Sequence, residues 1–319
     1  MRDTDTPVHA EGHVALEPSR SELAGVVAIL LADVCWGLGN VFVKLADMPG
    51  ISFALYRLWL GFVCFAVICI ATRRPIDRGT IRIAIPAGLT MGLYMVLIYS
   101  ALKATNVADV AIIAALQPAL VLLVAGPLFG ERITLREVGL VCVAMLGVVV
   151  VILGSAGSPS WTLRGDLLAV LALIAFTGFW LASKHARSRA NLDALGLVTA
   201  SSLIGAVVVT PPALIADHGL PVPSGSAWVW LALTVLIPGV LGHGLAAWAQ
   251  RYVEVWRSSL CQLGMPVASV IAAWAILGEG LTPLAIVGAV IVVGALSAVI
   301  VATRSTSLEA ELPTDEPVV

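Results

Sequence analysis

Apolar residues occupy this chain in blocks of about twenty, each closed by a short polar or glycine- and proline-bearing turn. A block of that length crosses the ~30 Å hydrocarbon core of a bilayer as one helix. The blocks predict ten spans, at 24–43, 52–72, 81–102, 106–129, 135–154, 165–184, 194–215, 227–248, 256–277 and 283–302. The connections between them are mostly short and leave no room for a soluble catalytic domain. Residues 1–23 are polar, with His9, His13 and five acidic residues, and lack the apolar core and cleavage site of a signal peptide. Residues 303–319 are acidic and contain proline. Both tails are expected to be disordered and cytoplasmic.

Two of the most apolar blocks carry the same punctuation. "LQPALVLLVAGPLFGERIT" (116–134) and "LGMPVASVIAAWAILGEGLT" (263–282) share a mid-span proline and a terminal Gly-Glu followed by threonine. A shift of 148 residues without a gap places Pro118 on Pro266, Gly130-Glu131 on Gly278-Glu279 and Thr134 on Thr282. A shift of 140 places Lys44 on Lys184. The chain therefore divides into two five-span halves, 24–154 and 165–302. Because five is odd, the second half is expected to enter the membrane inverted, an architecture common among secondary transporters. The fold class that follows is an all-α integral membrane protein of ten transmembrane helices in two inverted five-helix repeats.

Composition agrees. Of 319 residues, 59% are hydrophobic and 12% charged, far from the balance of a soluble domain. Net charge is near zero, and no basic patch suggests nucleic acid. The location of the charge is more informative. With an inner N-terminus, fourteen of the 18 basic residues fall on the cytoplasmic side, and only Lys44, Arg57, Lys103 and Arg164 fall outside. This bias predicts cytoplasmic termini and an even number of spans. The clusters "TRRPIDRGTIR" and "SKHARSRANLD" read first as topology signals and second as sites for anionic lipid or substrate. The five cysteines sit within apolar blocks, without metal-ligand spacing, and no metal or cofactor is implied.

Several motifs together resemble the EamA family of the drug/metabolite transporter superfamily. They are "WGLGNVFVK" in the first span, Arg57 early in the second, prolines in spans four and nine, and Gly-Glu with threonine before spans five and ten. The resemblance covers residues 24–302. It implies a ten-helix bacterial inner-membrane permease or exporter with a central cavity between its halves, moving small metabolites such as amino acids, related compounds or drugs. One departure is that "LVTASSLIG" in the second half has no counterpart of Arg57.

Polar residues inside the membrane are costly unless paired or facing a cavity. Asp33, Asn40 and Lys44 share one helical face, flanked by Trp36, and form the first candidate cavity surface. Asp33 reads either as a proton- or cation-coupling group or as a carboxyl bonded to a neighbouring helix. Trp180, on the echo of this stripe, reads as a stacking surface for substrate or as a packing aromatic. Asn106, Asp109 and Gln117 share another face; Asn106 and Asp109 belong to the outer turn and read either as part of that face or as solvated there, and Gln117, with its loose counterpart Gln262, is the better cavity candidate. His243, among glycines, reads as a proton shuttle or a helix-packing histidine. Tyr94 and Tyr99 read first as packing or interface residues, with a cavity-lining role for one of them as the alternative. Arg57 either binds a carboxylate or phosphate or snorkels to the headgroups, and its short distance from the boundary slightly favours snorkelling or an ion pair. Pro118 and Pro266 are hinge candidates. The glutamates of the Gly-Glu pairs read as structural punctuation.

The resulting expectation is a secondary transporter that exports small metabolites by alternating access, with spans one, three, four, six, eight and nine around its cavity. The expected partners are a small-molecule substrate and the lipid bilayer, with proton coupling and a monomeric or homodimeric state both open. A channel-like facilitative permease is the alternative. A lipid-modifying membrane enzyme is less well supported, because the loops lack the acidic or histidine clusters it would need.

Overall fold

The computed structural model describes residues 20–74, 76–117, 119–120, 135–155, 161–190, 193–216, 219, 222–249, 252 and 264–311. Among them all regular structure is helical. The helices are α1 (Arg20–Leu45), α2 (Gly50–Ala71), α3 (Arg78–Ala104), α4 (Val107–Ala114), α5 (Leu135–Ser155), α6 (Leu163–Ala190) and α7 (Ala194–Ala216). An eighth span is built in three pieces, α8 (Gly225–Thr234), a π-helical segment (Val235–Gly242) and α9 (His243–Ala249). Next come α10 (Gly264–Ala272), which runs into a second π segment (Ala273–Leu277), and α11 (Pro283–Glu311).

Among the described residues six helices are long and apolar enough to cross a membrane, and the shorter stretches Val138–Val151, Gly264–Leu277 and Pro283–Ala295 are also apolar. The chain is a multi-pass membrane protein. Large apolar side chains such as Ile70, Leu146 and Val290 are exposed on the outside of the bundle, as expected where lipid is the solvent. The expected fourth span is described mainly through α4, because Pro118 and residues 121–134, Glu131 and Thr134 among them, lie outside the described residues. The last helix continues to Glu311, past the expected end at 302. The extension "LEAE" is rich in good helix formers, and Pro313 follows it.

Helix ends follow local chemistry. Asp77 opens α3 by accepting the Thr80 amide and hydroxyl protons, both at 2.7 Å. Those hydrogen bonds favour the ionised form and hold its carboxyl below the usual carboxylate range. The cap therefore contributes at pH above the unfolded carboxylate value and is lost as pH falls through the lowered folded value. Asp77→Ala should remove this acid-side dependence from the melting temperature measured against pH. Later in the chain, Gly278 stops the second π segment in the left-handed conformation, at φ +69°. Thr282 then accepts the Ala285 amide proton at 3.1 Å to start α11, while its own hydroxyl donates to Gly154 O at 2.8 Å. The Gly-Glu-X-X-Thr punctuation is thus a helix stop followed by a cap.

Packing exchanges partners between the two parts of the chain. Helix α1 lies against α9, α10 and the first π segment, while α6 lies against α3 and α4. Helix α5 packs on α11, and α2 on α7. Without a hydrophobic drive between helices in lipid, close backbone approach at small residues supplies much of the association. Gly92 faces Gly205, so that a Cβ built on Gly92 would lie 3.1 Å from the Gly205 Cα. The close contacts offered by Gly88 and Gly92 are therefore used within one chain, against α7. At the α5–α11 crossing, a Cβ on Gly288 would lie 2.7 Å from both Gly147 O and Val151 N. Those are backbone atoms that cannot swing away, so Gly288→Val should destabilise the fold by roughly 1–3 kcal/mol through overpacking. A lowered melting temperature in detergent would report it.

Candidate substrate site

The polar stripe of α1 faces the second part of the chain, and each of its members meets a definite neighbour. Trp36 donates its indole N–H to Pro238 O at 3.1 Å. Asn40 donates to Ser269 Oγ of α10 at 3.0 Å. Asp33 is buried at 1% exposure, its Oδ2 packed against the Cα of Gly264, and neither carboxylate oxygen has a hydrogen-bond partner among the described residues. Gly37 and Gly39 allow these approaches, since a Cβ at Gly37 would lie 2.8 Å from Ser269 N and one at Gly39 would lie 2.9 Å from the Pro238 ring.

Pro238 matters for a reason the sequence did not signal. It lies inside the π-helical segment Val235–Gly242. Proline lacks an N–H and disturbs the usual ladder, and π-turns recur at functional positions. Here the altered turn sets Pro238 O toward Trp36 and the backbone of Gly239 toward Arg57. The hinge candidate Pro266 is buried in the first turn of α10.

Arg57 sits at the centre of the second cluster. At 6% exposure it does not snorkel; the sequence expectation is corrected. Its position one turn inside α2 left either direction open, and two glycines settle it. Gly61, one turn further along α2, and Gly239, across the interface, leave room for the guanidinium, whose nitrogens would lie 2.5 and 2.8 Å from a Cβ at those positions. The Tyr99 hydroxyl is within hydrogen-bonding reach of Arg57, and Tyr94 and His243 lie within electrostatic range. Arg57 Nε has no hydrogen-bond partner among the described residues. The ion pairs among the described residues are Lys44–Glu279 and Arg74–Asp193, so no described carboxylate balances this buried cation. The exposed His243 ring stands 5.4 Å from that of Trp36 and so joins the α1 stripe to the Arg57 cluster. Tyr94 and Tyr99 also stack, on Phe176 and Phe53, so they both pack and face the cation.

A third group closes one end of the bundle. Lys44 donates to Thr105 O and lies 3.5 Å from Glu279 Oε1. Glu279 Oε2 accepts the Val107 amide proton at 2.9 Å, at the start of α4, where helix N–H groups need acceptors. Lys103 donates to Ala46 O and, at 3.2 Å, to Lys44 O. Asp166 accepts from Thr105 Oγ1 at 2.9 Å and from the Trp161 indole at 2.7 Å. This network ties the ends of α1, α3 and the α10 limb to the starts of α4 and α6. Glu279, read from the sequence as structural punctuation, is a mostly buried partner of Lys44, with 8% of its side chain exposed. One expectation changes. Asn106 and Asp109 are buried rather than solvated, and Asn106 donates to Asp109 at 3.1 Å. No local pattern pairs Glu279 with Lys44, because the partners come from opposite parts of the chain.

The remaining candidates stand apart. Trp180 is exposed at 42%. Gln117 is half-buried just beyond α4. Gln262 lies outside the described residues, and nothing is described of the Lys184 side chain. No group of histidine, cysteine and acidic residues among the described residues could hold a metal.

Comparison with known proteins bears on this arrangement. The profile of the EamA-like transporter family matches residues 23–153 and again 163–301. An "Uncharacterized transporter" of Archaeoglobus fulgidus is 24% identical over 86% of the chain and 96% of its own length. A "Probable amino-acid metabolite efflux pump" of Escherichia coli is 26% identical over 85% of the chain and 93% of its own. A "Probable terminal-alkyne amino-acid exporter" of Streptantibioticus cattleyicolor is 25% identical over 82% and 89%. One solved crystal structure shares the fold, with a TM-score of 0.57 and 22% identity, over 89% of this chain and 99% of that one.

Proposed function

The chain belongs to the EamA-like transporter family, and from that membership we propose that it exports amino-acid-type metabolites by alternating access between two inverted five-helix halves. It is a membrane transporter; the solute, the direction and the mechanism are the proposal. The halves are 24–154 and 165–302, in a bacterial inner membrane with both termini cytoplasmic.

The observation that carries the substrate reading is Arg57. A buried guanidinium is rarely left without a counter-charge in a membrane, and one without a carboxylate partner is suited to receive a carboxylate from the solute. Its donors face the seam between α2 and the first π segment, where the two halves meet. Relatives named for amino-acid efflux support the same class of solute. The Trp36 and His243 rings, 5.4 Å apart, link the α1 stripe that carries Asp33 to the Arg57 cluster. Asp33 lies one helical turn from Trp36, about 4.5 Å of axial rise, where a proton or the solute's ammonium group can meet its unpartnered carboxyl.

The inverted arrangement is supported by the exchange of helix partners: α1 seated on spans eight and nine, α6 on spans three and four. The end of α1 and the start of α6 also come together at one end of the bundle, through Thr105 and Asp166. Two like halves running in opposite senses have two mirror-related arrangements, each closed at one side. Here the Lys44–Glu279 network closes one end, the outer one in the proposed orientation.

The test is binding of free amino acids to the purified protein, compared with their carboxamides. The carboxylate forms should bind and the amides should bind at least tenfold more weakly, the ~1.4 kcal/mol expected at minimum of a charged hydrogen-bond pair. Equal binding of both forms would remove Arg57 from the substrate site.

A further inference from the structure

A groove lies away from the seam, at the end of the bundle opposite the Lys44 network. It measures about 570 Å³, and its walls include Phe62, Ala66 and Ile70 of α2 and Leu203 of α7, with Arg73 and Arg74 at its rim. From Phe62 to its end at Ala71, α2 borders the groove over about 14 Å of helix rise, with Arg73 just beyond. That is about half of a ~30 Å hydrocarbon core, or one leaflet. Its outer wall is the bilayer itself, for Ile70 is 78% exposed.

The rim is built in an unusual way. Helix α2 ends with the Arg73 amide donating to Ile70 O at 3.1 Å and the Arg74 amide to Cys69 O at 2.9 Å. This pair of bonds places the residue after the cap in the left-handed region, where glycine is the usual choice. Arg73 occupies it, at φ +54°, and no other residue except glycine has a positive φ among the described residues. A side chain in that conformation is disfavoured, and such positions persist where the side chain is needed. Arg74 is engaged by Asp193. Arg73 forms no ion pair among the described residues, and its guanidinium is at the mouth of an apolar, leaflet-deep groove.

We propose that this groove is a binding site for an anionic phospholipid, with one acyl chain along α2 and the headgroup phosphate on Arg73. Apolar walls of leaflet depth select a lipid over a soluble ion, and the positive rim selects an anionic headgroup over a zwitterionic one. The site is separate from Arg57 and does not depend on which solute is transported.

Native mass spectrometry of the full-length protein, incubated with equal phosphatidylglycerol and phosphatidylcholine of matched chains, tests it. Wild type should retain phosphatidylglycerol in preference. Arg73→Gly should lower that preference about fivefold, the share of one basic residue at a membrane surface. Because glycine suits the backbone at this position, the variant should melt no lower than wild type. Ala66→Trp should fill the groove and lower retention while leaving Arg73 in place. Unchanged phosphatidylglycerol retention in both variants overturns the proposal. Equal retention of the two lipids by wild type overturns it as well, as does displacement of bound lipid by inorganic phosphate alone.

Discussion

Replacing Arg57 with methionine is expected to reduce amino-acid flux roughly 10- to 150-fold without lowering the melting temperature. A charge-assisted hydrogen bond to a buried partner contributes about 1.5–3 kcal/mol, which converts to that range in rate or affinity. The melting temperature should hold or rise, because the guanidinium has no described ion-pair partner to strand and an apolar side chain of similar length avoids its desolvation. Arg57→Lys should fall between, since an ammonium keeps the charge but cannot make the paired, fork-shaped contact with a carboxylate. Gly239→Val should resemble Arg57→Met in flux, because its side chain would occupy the space held by the Arg57 guanidinium. Flux in proteoliposomes, with melting in detergent as the control for folding, separates these outcomes. Wild-type flux in Arg57→Met would remove the guanidinium from the transport path.

The second large effect is expected at the Lys44–Glu279 contact. Glu279→Ala removes both the partner of Lys44 and the acceptor of the Val107 amide proton. Leaving a mostly buried charge and a helix-start N–H unsatisfied should cost about 2–4 kcal/mol. Glu279→Gln retains an acceptor for Val107 and should cost less. Combining it with Lys44→Met should recover part of the loss, giving a coupling of about 1–2 kcal/mol in a double-mutant cycle, reduced because Lys44 keeps 19% of its side chain exposed. If this contact holds one end of the transporter shut, Glu279→Ala should also make cysteines placed near Trp36 react faster with a reagent applied from that end. Additive melting shifts with unchanged labelling would make the pair incidental to closure.

How much of this was legible in the chain depends on the range of the interaction. The helices were legible because each span is a local block of apolar residues, and the stop at Gly278 and cap at Thr282 were legible because both are local backbone chemistry. The face shared by Asp33, Trp36, Asn40 and Lys44 follows from helical periodicity alone, and the structure sets it against α10 and the first π segment. What that face would meet was not legible. Ser269, Pro238 and Glu279 lie more than 200 positions away from it, and no local pattern marks them. Arg57 shows the same limit. Its depth suggested a snorkelling side chain, and only the pocket left by Gly61 and Gly239 turns it inward. Asn106 and Asp109 looked solvated because they begin a helix near a loop; packing against neighbouring spans buries them.

The most direct test of the transport account is counterflow by the purified protein in liposomes. Vesicles loaded with an unlabelled amino acid and diluted into a trace of the labelled form should accumulate label transiently above equilibrium. The uptake should saturate with concentration, be lost in Arg57→Met and, where Asp33 couples protons, respond to an imposed pH gradient. Only a carrier whose single site faces one side at a time gives that overshoot. Linear, unsaturable entry of label without overshoot would contradict alternating access and assign the chain to a channel-like permease.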